Sequence, residues 1–444
     1  MNDDATQERA IGRRVVALAV PALGALVAEP LFVLVDSAIV GHLGKDALAG
    51  LALAGTVLNT VVYLCVFLAY ATTAKVARLF GAGDIGGSAR LGLDGIWLGF
   101  GLGLILMVTG FATAGPTLRA LGAEGPVLEA ALAYLTWSLP GLPAMLVVLA
   151  AVGVLRGWQN IKATMAVAVA GAAGNALLSY LLTWPLGLGI RGSALATVLT
   201  QYAMAAVLAW LVIKMALAHQ VGLPPKLAGL WGSIKAGAPL LARTVCLRAA
   251  ILLTVWTATA LGPVALGGHQ IVNSLWALGA LIVDALAIAA QTLVGAALGA
   301  GSGRQLAQVS RAVTRLGWVA GAGVGLLIAA LAPFLPKLMT TDPSVRWAAT
   351  VGLWVCAVAM PIGAYAFILD GILMGAADGV YLAFGMLLAL TLYTPLIMAI
   401  RAWAPSGAAG LAWLWVALGG FYMALRCAFY APRVRYLLRR AAAA

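Results

Sequence analysis

The sequence contains very little charge. Only 9% of its 444 residues are Asp, Glu, Lys or Arg, whereas 63% are hydrophobic and the mean hydropathy is +1.03. This composition lies outside the range of soluble globular domains, in which about a quarter of the residues are charged. Apolar runs of about 20 residues recur along the chain, and each is long enough to cross a bilayer as a helix. We therefore expect an all-α, multi-pass integral membrane protein.

Cysteine and histidine are also scarce, with 4 and 3 residues. The cysteines stand singly in apolar segments, without the paired spacing of a disulfide framework or a metal site. The histidines do not cluster either. We therefore expect no enzyme activity, no metal and no cofactor. The N-terminal segment, MNDDATQERAIGRR, lacks the apolar core and cleavage site of a signal peptide, so we expect the N-terminus to be retained.

The apolar runs predict twelve transmembrane helices. Their expected spans are 15–40, 46–72, 90–115, 127–155, 163–185, 190–215, 236–261, 265–298, 312–336, 345–374, 378–402 and 406–431. Most lysines and arginines fall on the side of the N-terminus, including Arg426 and the arginines that follow it. The positive-inside rule then places both termini in the cytoplasm and favours a plasma-membrane protein. The net charge of +13 reflects this topology, so no nucleic-acid partner is needed to explain it.

The chain contains an internal repeat. A shift of 218 residues superimposes Pro21 on Pro239, Gly44 on Gly262, and Gly189 on Gly407. Each copy holds six spans, so both copies enter the bilayer in the same direction. This predicts two six-helix lobes, 1–218 and 236–444, related by a pseudo-two-fold axis along the membrane normal and joined by a cytoplasmic linker, 219–235. The arrangement favours transport by alternating access, with a scaffold or a channel as the alternative.

Four carboxylates lie deep in predicted spans: Glu29, Asp36, Asp284 and Asp370. A charged side chain at mid-membrane costs about 2.5–3.5 kcal/mol on insertion scales, so such residues are expected to line a cavity and to be functional. Glu29 and Asp36 are seven residues apart and therefore share one helix face, about 10 Å from each other. One proton or cation route could touch both.

Two prolines, Pro21 and Pro30, lie in the same first span. A proline inside a helix removes a hydrogen bond and favours a kink. We therefore expect the first helix to bend, although the prolines could instead serve packing alone.

Each half has its own polar residues within the spans. Tyr134, Asn175, Ser179 and Thr197 in the first half predict a polar pocket with Asp36. The second half has Arg248, Asn273, Asp284, Gln291 and Asp370. Arg248 is expected to neutralise Asp284 or Asp370 as a structural pair, and a proton relay through these acids is the competing interpretation.

The stretch PALGALVAEPLFVLVDSAIVGHLGKDALAGLALA at 21–54 resembles the first helix and loop of the multidrug and toxic compound extrusion (MATE) family, in its DinF-like branch. Further support comes from GIRGSALATVLTQY at 189–202 and LDGILMGAADG at 369–379. The resemblance covers nearly the whole chain. It implies a twelve-helix, two-lobe antiporter that expels cationic or amphipathic small molecules in exchange for H⁺ or Na⁺.

The resemblance also implies roles for individual residues. Asp36 matches the aspartate that titrates or binds the cation in DinF-like members, and Pro21 matches the bending proline. The companions of that aspartate fall on Tyr134, Asn175, Thr197 and Ser179, and Asp370 matches an acid that relatives use in coupling. We expect a monomer, with membrane lipid and a small-molecule substrate as its partners.

Ser179 departs from the family pattern, because relatives commonly have a second aspartate at this position. The missing charge weakens a site for Na⁺, a hard cation that prefers charged oxygen ligands, so H⁺ coupling is favoured. Glu29 could supply the missing carboxylate, which leaves the ion open. The rivals are a lipid-intermediate or polysaccharide flippase of the same superfamily and a membrane-embedded transferase.

Overall fold

The computed structural model describes residues 2–443, with the side chains of 10–226 and 229–442, and these residues form helices without any strand. Twelve helices are long and apolar enough to cross a membrane. We label them α1 Ala10–Gly41, α2 Lys45–Gly81, α3 Ile85–Ala120, α4 Gly125–Gly157, α5 Ile161–Thr183, α6 Ile190–Ala218, α7 Gly229–Ala260, α8 Pro263–Gly299, α9 Gly303–Leu331, α10 Pro343–Gly375, α11 Gly379–Trp403 and α12 Ala408–Ala442.

The predicted number of spans is confirmed, and α9 is displaced towards the N-terminus at both of its ends. This helix begins at Gly303, well before the apolar run, because the Ser302 hydroxyl accepts a hydrogen bond from the Gln305 N–H at 3.2 Å and caps the first turn. It ends at Leu331, two residues before Pro333, which has no backbone N–H to continue the hydrogen bonds of the helix. The helix therefore continues through polar residues where a hydropathy profile stops.

Backbone contacts divide the chain into two compact units, Gly24–Leu241 and Met1–Leu23 with Ala242–Ala444. Both units turn at residues that are equivalent in the repeat. Gly44 and Gly262 have φ values of 126° and 100°, and Gly189 and Gly407 have 57° and 75°. Such positive φ values suit glycine, which explains why these residues recur.

Small residues bring the same two helices together in each unit. A methyl group at Gly153 in α4 would lie 2.6 Å from the Ala69 carbonyl oxygen of α2, and one at Gly371 in α10 would lie 2.5 Å from the Ala287 carbonyl oxygen of α8. These backbones can approach only because glycine has no side chain. One turn further, Gly375 meets the backbone of Gln291, so Gln291 sits at a tight helix contact.

The linker is attached to α3 where it leaves the first six helices. The Arg90 guanidinium donates to the carbonyl oxygens of Gly222 and Pro224 at 2.6 Å each, and Asp94 holds Arg90 at 2.6 Å. The Trp97 indole N–H donates to the carbonyl between these two residues at 3.0 Å. The beginning of the linker is therefore part of the unit Gly24–Leu241.

Candidate functional site

Asp36 of α1 is buried, with 3% of its surface exposed, and accepts three hydrogen bonds from hydroxyl groups. Tyr134 of α4 donates to Oδ2 at 3.1 Å, and Ser179 of α5 donates to Oδ1 at 2.9 Å. Ser193 of α6 also donates to Oδ1. All three donors are neutral, so the carboxylate has hydrogen-bond partners but no cationic partner among them.

Asn175 and Thr197 form a second layer beside this cluster. The Asn175 side-chain amide donates to the Thr197 hydroxyl at 3.3 Å, and Thr197 donates to the Ser193 carbonyl oxygen at 3.2 Å. Both side chains are buried. The structure therefore brings together the five residues that the sequence placed in the first-half pocket.

Ser193 was missed by the sequence analysis. It lies four residues before Thr197 and therefore shares a helix face with it, which was the available signal. A serine in a span was not singled out because such residues usually bond to their own helix backbone.

Asp36 forms part of the wall of a cavity of about 390 Å³ in the unit Gly24–Leu241. Helices α1, α2, α4, α5 and α6 line it, mostly with apolar side chains such as Phe32 and Met204. Its charged residues are Glu29, Asp36 and Arg156. Two acids against one base favour a ligand that is apolar and positively charged.

Glu29 differs from Asp36 in its surroundings. Its side chain is exposed on the cavity wall, and among the described residues its carboxylate has no hydrogen bond or ion pair. An open carboxylate of this kind is placed to meet a cationic group in the cavity. Pro30 follows it directly, and Pro21 lies two residues before the boundary between the compact units, both within an uninterrupted helix.

The second half holds a different cluster around Asp370 of α10, which is 1% exposed. Its Oδ2 pairs with Arg243 of α7 and with Arg426 of α12. Arg426 is completely buried, and its guanidinium lies 5.2 Å from the centre of the Phe367 ring. Asp370 is therefore held by two permanently charged groups.

This arrangement corrects two expectations. The arginines that hold Asp370 are Arg243 and Arg426 rather than Arg248, which lies on an exposed part of α7. The other possibility from the sequence, a pair of Arg248 with Asp284, stays a prediction. The placement of Arg426 in a cytoplasmic segment was wrong. Hydropathy assigns arginines to helix ends, and it does not detect a buried acid on another helix that compensates the charge.

Three further predicted residues, Asn273, Asp284 and Gln291, lie along one face of α8, since they are spaced by eleven and seven residues. Gln291 is buried, and Asn273 and Asp284 are half-buried. Both ion pairs of Asp370 come from α7 and α12. Neither of these ion pairs involves Asn273, Asp284 or Gln291.

A family model described as MatE matches the chain twice, at residues 21–181 and at 239–399. The second match begins 218 residues after the first, which is the shift of the internal repeat.

Known proteins resemble the chain over most of its length. "Protein DETOXIFICATION 44, chloroplastic" of Arabidopsis thaliana is 33% identical over 94% of this chain and 81% of the relative. "DNA damage-inducible protein F" of Escherichia coli (strain K12) is 27% identical over 81% of this chain and 79% of the relative.

A solved structure titled "Crystal structure of MATE in the bent conformation" has a TM-score of 0.88 and 20% identity, and the match covers 97% of each chain. One titled "Crystal structure of MATE in the straight conformation" has a TM-score of 0.87 and 20% identity over 98% of this chain and 97% of the other. At this identity the likeness concerns the fold.

Proposed function

Because the chain belongs to the MATE family and is therefore a membrane transporter rather than an enzyme, we propose that it is a secondary active antiporter that exports cationic or amphipathic small molecules in exchange for protons. The observation that carries this proposal is the buried Asp36 on the wall of a cavity, where its hydrogen-bond partners among the described residues are three hydroxyl groups. Export proceeds by alternating access between the lobes 1–218 and 236–444. The proposed coupling ion is H⁺, with Na⁺ as the alternative. Transport of this kind needs no cofactor.

The hydroxyl partners suit a carboxylate that gains and loses a proton. A hydroxyl group rotates freely and either donates or accepts, so Ser179, Ser193 and Tyr134 can bond to the ionised acid and to the neutral one. Protonation leaves no buried cation without its counter-ion, which is the expensive consequence at an ion pair. Na⁺ could use the oxygens of Asp36 and Asn175, but Ser179 supplies no second charge.

Glu29 and Asp36, which lie on one helix face of α1, have different roles. The exposed Glu29 attracts the cationic group of the substrate, and the buried Asp36 carries the proton. Only a substrate affinity that differs between the two protonation states of Asp36 couples the two fluxes. Pro21 and Pro30 lie in the same helix and allow α1 to bend when that state changes.

The substitution Asp36→Asn tests the proposal. Purified protein is placed in proteoliposomes that contain a pH-sensitive dye in the lumen. A fluorescent lipophilic cation is then added under an imposed pH gradient, with and without sodium. Asp36→Asn should abolish gradient-driven transport while the melting temperature stays near the wild-type value. Asp46→Asn, outside the cavity, is the matched control. Wild-type transport by Asp36→Asn would refute the role, and transport that requires sodium would identify Na⁺ as the ion.

The flippase alternative is not favoured by the cavity. A pyrophosphate-linked lipid requires several cationic groups, and the cavity has Arg156 together with two acids. The distribution of lysine and arginine supports an orientation with both termini in the cytoplasm, in the plasma membrane. We also propose that the protein is a monomer.

A further inference from the structure

Exposed arginines gather at one end of the unit that contains α8 to α12. Gly303, at the start of α9, is in contact with the backbone of Ala441, near the end of α12, so these two helix ends meet. Five of the exposed arginines on these two helices form what we call the basic patch: Arg311, Arg315, Arg435, Arg439 and Arg440.

The charge of the basic patch is not compensated by its own helices. Residues 285–341 and 379–444 contain no Asp or Glu. Among the described side chains, no carboxylate forms an ion pair with a member of the patch. The ion pair next to it joins Asp378 to Arg433, at 2.6 Å, and thus involves an arginine outside the patch.

Aromatic residues place the patch at the level of lipid headgroups. Residues 316–336 carry no charge, and the part of them that lies in α9, 316–331, is about 24 Å long, which fits within a hydrocarbon layer of about 30 Å. Arg315 therefore lies at the edge of that layer. Trp318, one turn later, is 42% exposed. Its ring stacks on that of Tyr365, with the ring centres 5.2 Å apart. The positive charge of Arg435 also interacts with Tyr365. Tryptophan and tyrosine are enriched at this depth.

Membrane topology alone does not explain the patch, because the positive-inside rule acts on both copies of the repeat in the same way. In the first copy the equivalent positions are uncharged: Leu93 for Arg311, Trp97 for Arg315, Leu217 for Arg435, Val221 for Arg439 and Gly222 for Arg440. The arginine of α3, Arg90, is neutralised by Asp94. At these five positions, only the second copy carries guanidinium groups.

We propose that the basic patch binds the headgroups of anionic phospholipids. A guanidinium group donates two parallel hydrogen bonds to a phosphate, which makes arginine well suited to the phosphodiester of a lipid. Arg311 and Arg315 are one helical turn apart, close enough to share one phosphate, while Arg435 and Arg439 are likewise one turn apart on α12. Clusters of this size at a membrane surface attract anionic lipid.

The test compares two lipids on the full chain in neutral detergent. Phosphatidylglycerol and phosphatidylcholine are titrated separately, while the melting temperature and the bound lipid, by native mass spectrometry, are followed. Phosphatidylglycerol should bind and stabilise more than phosphatidylcholine. The variant R311Q/R315Q/R435Q/R439Q should lose about tenfold or more in apparent affinity for phosphatidylglycerol. Binding should also weaken as salt is raised.

The matched control, R78Q/K162Q/K214Q/K235Q, removes the same charge from exposed positions of the other unit and should keep the lipid preference. An equal loss in both variants would overturn the proposal, as would equal binding of the two lipids by the wild type. Soluble glycerol phosphate that stabilises as well as phosphatidylglycerol would show a free-anion site instead and would also overturn it. If the fourfold variant does not fold, R311Q/R315Q and R435Q/R439Q are measured separately, and each should lose part of the preference.

Discussion

Asp36 and Asp370 are both buried aspartates in the middle of membrane helices, yet their partners are opposite in kind. Asp36 is surrounded by hydroxyl groups, whereas Asp370 lies between two guanidinium groups. A carboxylate that is held by arginines cannot lose its charge without leaving buried cations unpaired. Under the proposed function, burial within a helix is therefore not enough to make an acid a proton carrier, and we expect the charge of its neighbours to decide.

The same contrast extends to the space around each aspartate. In the repeat, Arg243 is equivalent to Ala25 and Asp370 to Val152, and both residues of the first copy line the cavity. Ion-paired side chains thus occupy in the second copy the positions that border open space in the first.

The position equivalent to Asp36 is Thr254, whose hydroxyl is 2.7 Å from that of Tyr393, the equivalent of Asn175. Tyr393 and Trp415, the equivalent of Thr197, are fully buried large aromatic residues. One copy of the duplication therefore has small polar residues beside a cavity, and the other has large buried aromatic residues at the equivalent positions.

The largest expected effect follows from removing the charge of Asp370. Asp370→Asn leaves Arg243 and Arg426 without their carboxylate and should lower the free energy of unfolding by about 3–5 kcal/mol. Arg243→Gln should cost less, because the pair of Asp370 with Arg426 remains. Thermal unfolding in detergent measures both.

The matched control for this pair is Asp378→Asn, which breaks the more exposed ion pair with Arg433 and should cost about 1 kcal/mol or less. If Asp370→Asn unfolds at the wild-type temperature, the ion pairs of Asp370 do not stabilise the fold, and the contrast with Asp36 is contradicted.

A smaller effect is expected at Glu29, and it sharpens the contrast within the cavity. Glu29→Gln should raise the KM for a cationic substrate by about tenfold, since a contact with a charged group contributes about 1.5 kcal/mol. The KM for an uncharged substrate of similar shape should not change, and kcat should be affected little. Initial rates in proteoliposomes test this, with Glu129→Gln as the control. An equal rise for both substrates would contradict a charge-specific role.

Ser193 offers a finer test of the hydroxyl cluster. Ser193→Ala removes one of the three donors to Asp36 while the other two remain, so the exchange rate should fall by about fivefold, corresponding to ~1 kcal/mol. The protein should remain folded. Ser274→Ala, which removes a hydroxyl bonded only to its own helix, should transport at the wild-type rate. Unchanged transport by Ser193→Ala would show that this hydroxyl is dispensable.

The smallest effect concerns Asp342, outside the spans, which caps the start of α10. Hydrogen bonds from the Ser344 hydroxyl and from the backbone N–H groups of Ser344 and Val345 hold the pKa of this carboxyl below its usual value. Its contribution to stability is therefore present above the unfolded pKa, about 3.9, and disappears as the pH falls through the lower folded value. Asp342→Ala should melt slightly below the wild type at pH 7, and the two curves should converge in acid. A difference that persists below that range would exclude this cause.

Most of the fold follows from local patterns in the sequence. Apolar length predicts twelve helices, and recurring glycines reveal the duplication, because a turn that needs a positive φ retains glycine in both copies. The cluster around Asp36 was largely accessible too, since its members repeat at helical spacing within α5 and α6.

What the sequence does not show depends on contacts between distant helices. Arg426 follows Asp370 by 56 residues, and no local pattern indicates that the two meet. Ser193 was overlooked for a related reason, because its role comes from α1 and not from its own helix. A cavity likewise exists only through the packing of several helices, so no single segment encodes it.

The attachment of the linker to α3 has a consequence for engineering the protein. Surface connections between helices usually accept inserted tags, fluorescent domains or protease sites, because their backbone bonds mainly to water. The segment from Gly222 to Pro224 instead satisfies Arg90 and Trp97 with its carbonyl oxygens. A reporter inserted there would leave both side chains without these hydrogen-bond acceptors. This midpoint of the chain is therefore a poor position for splitting or labelling the protein.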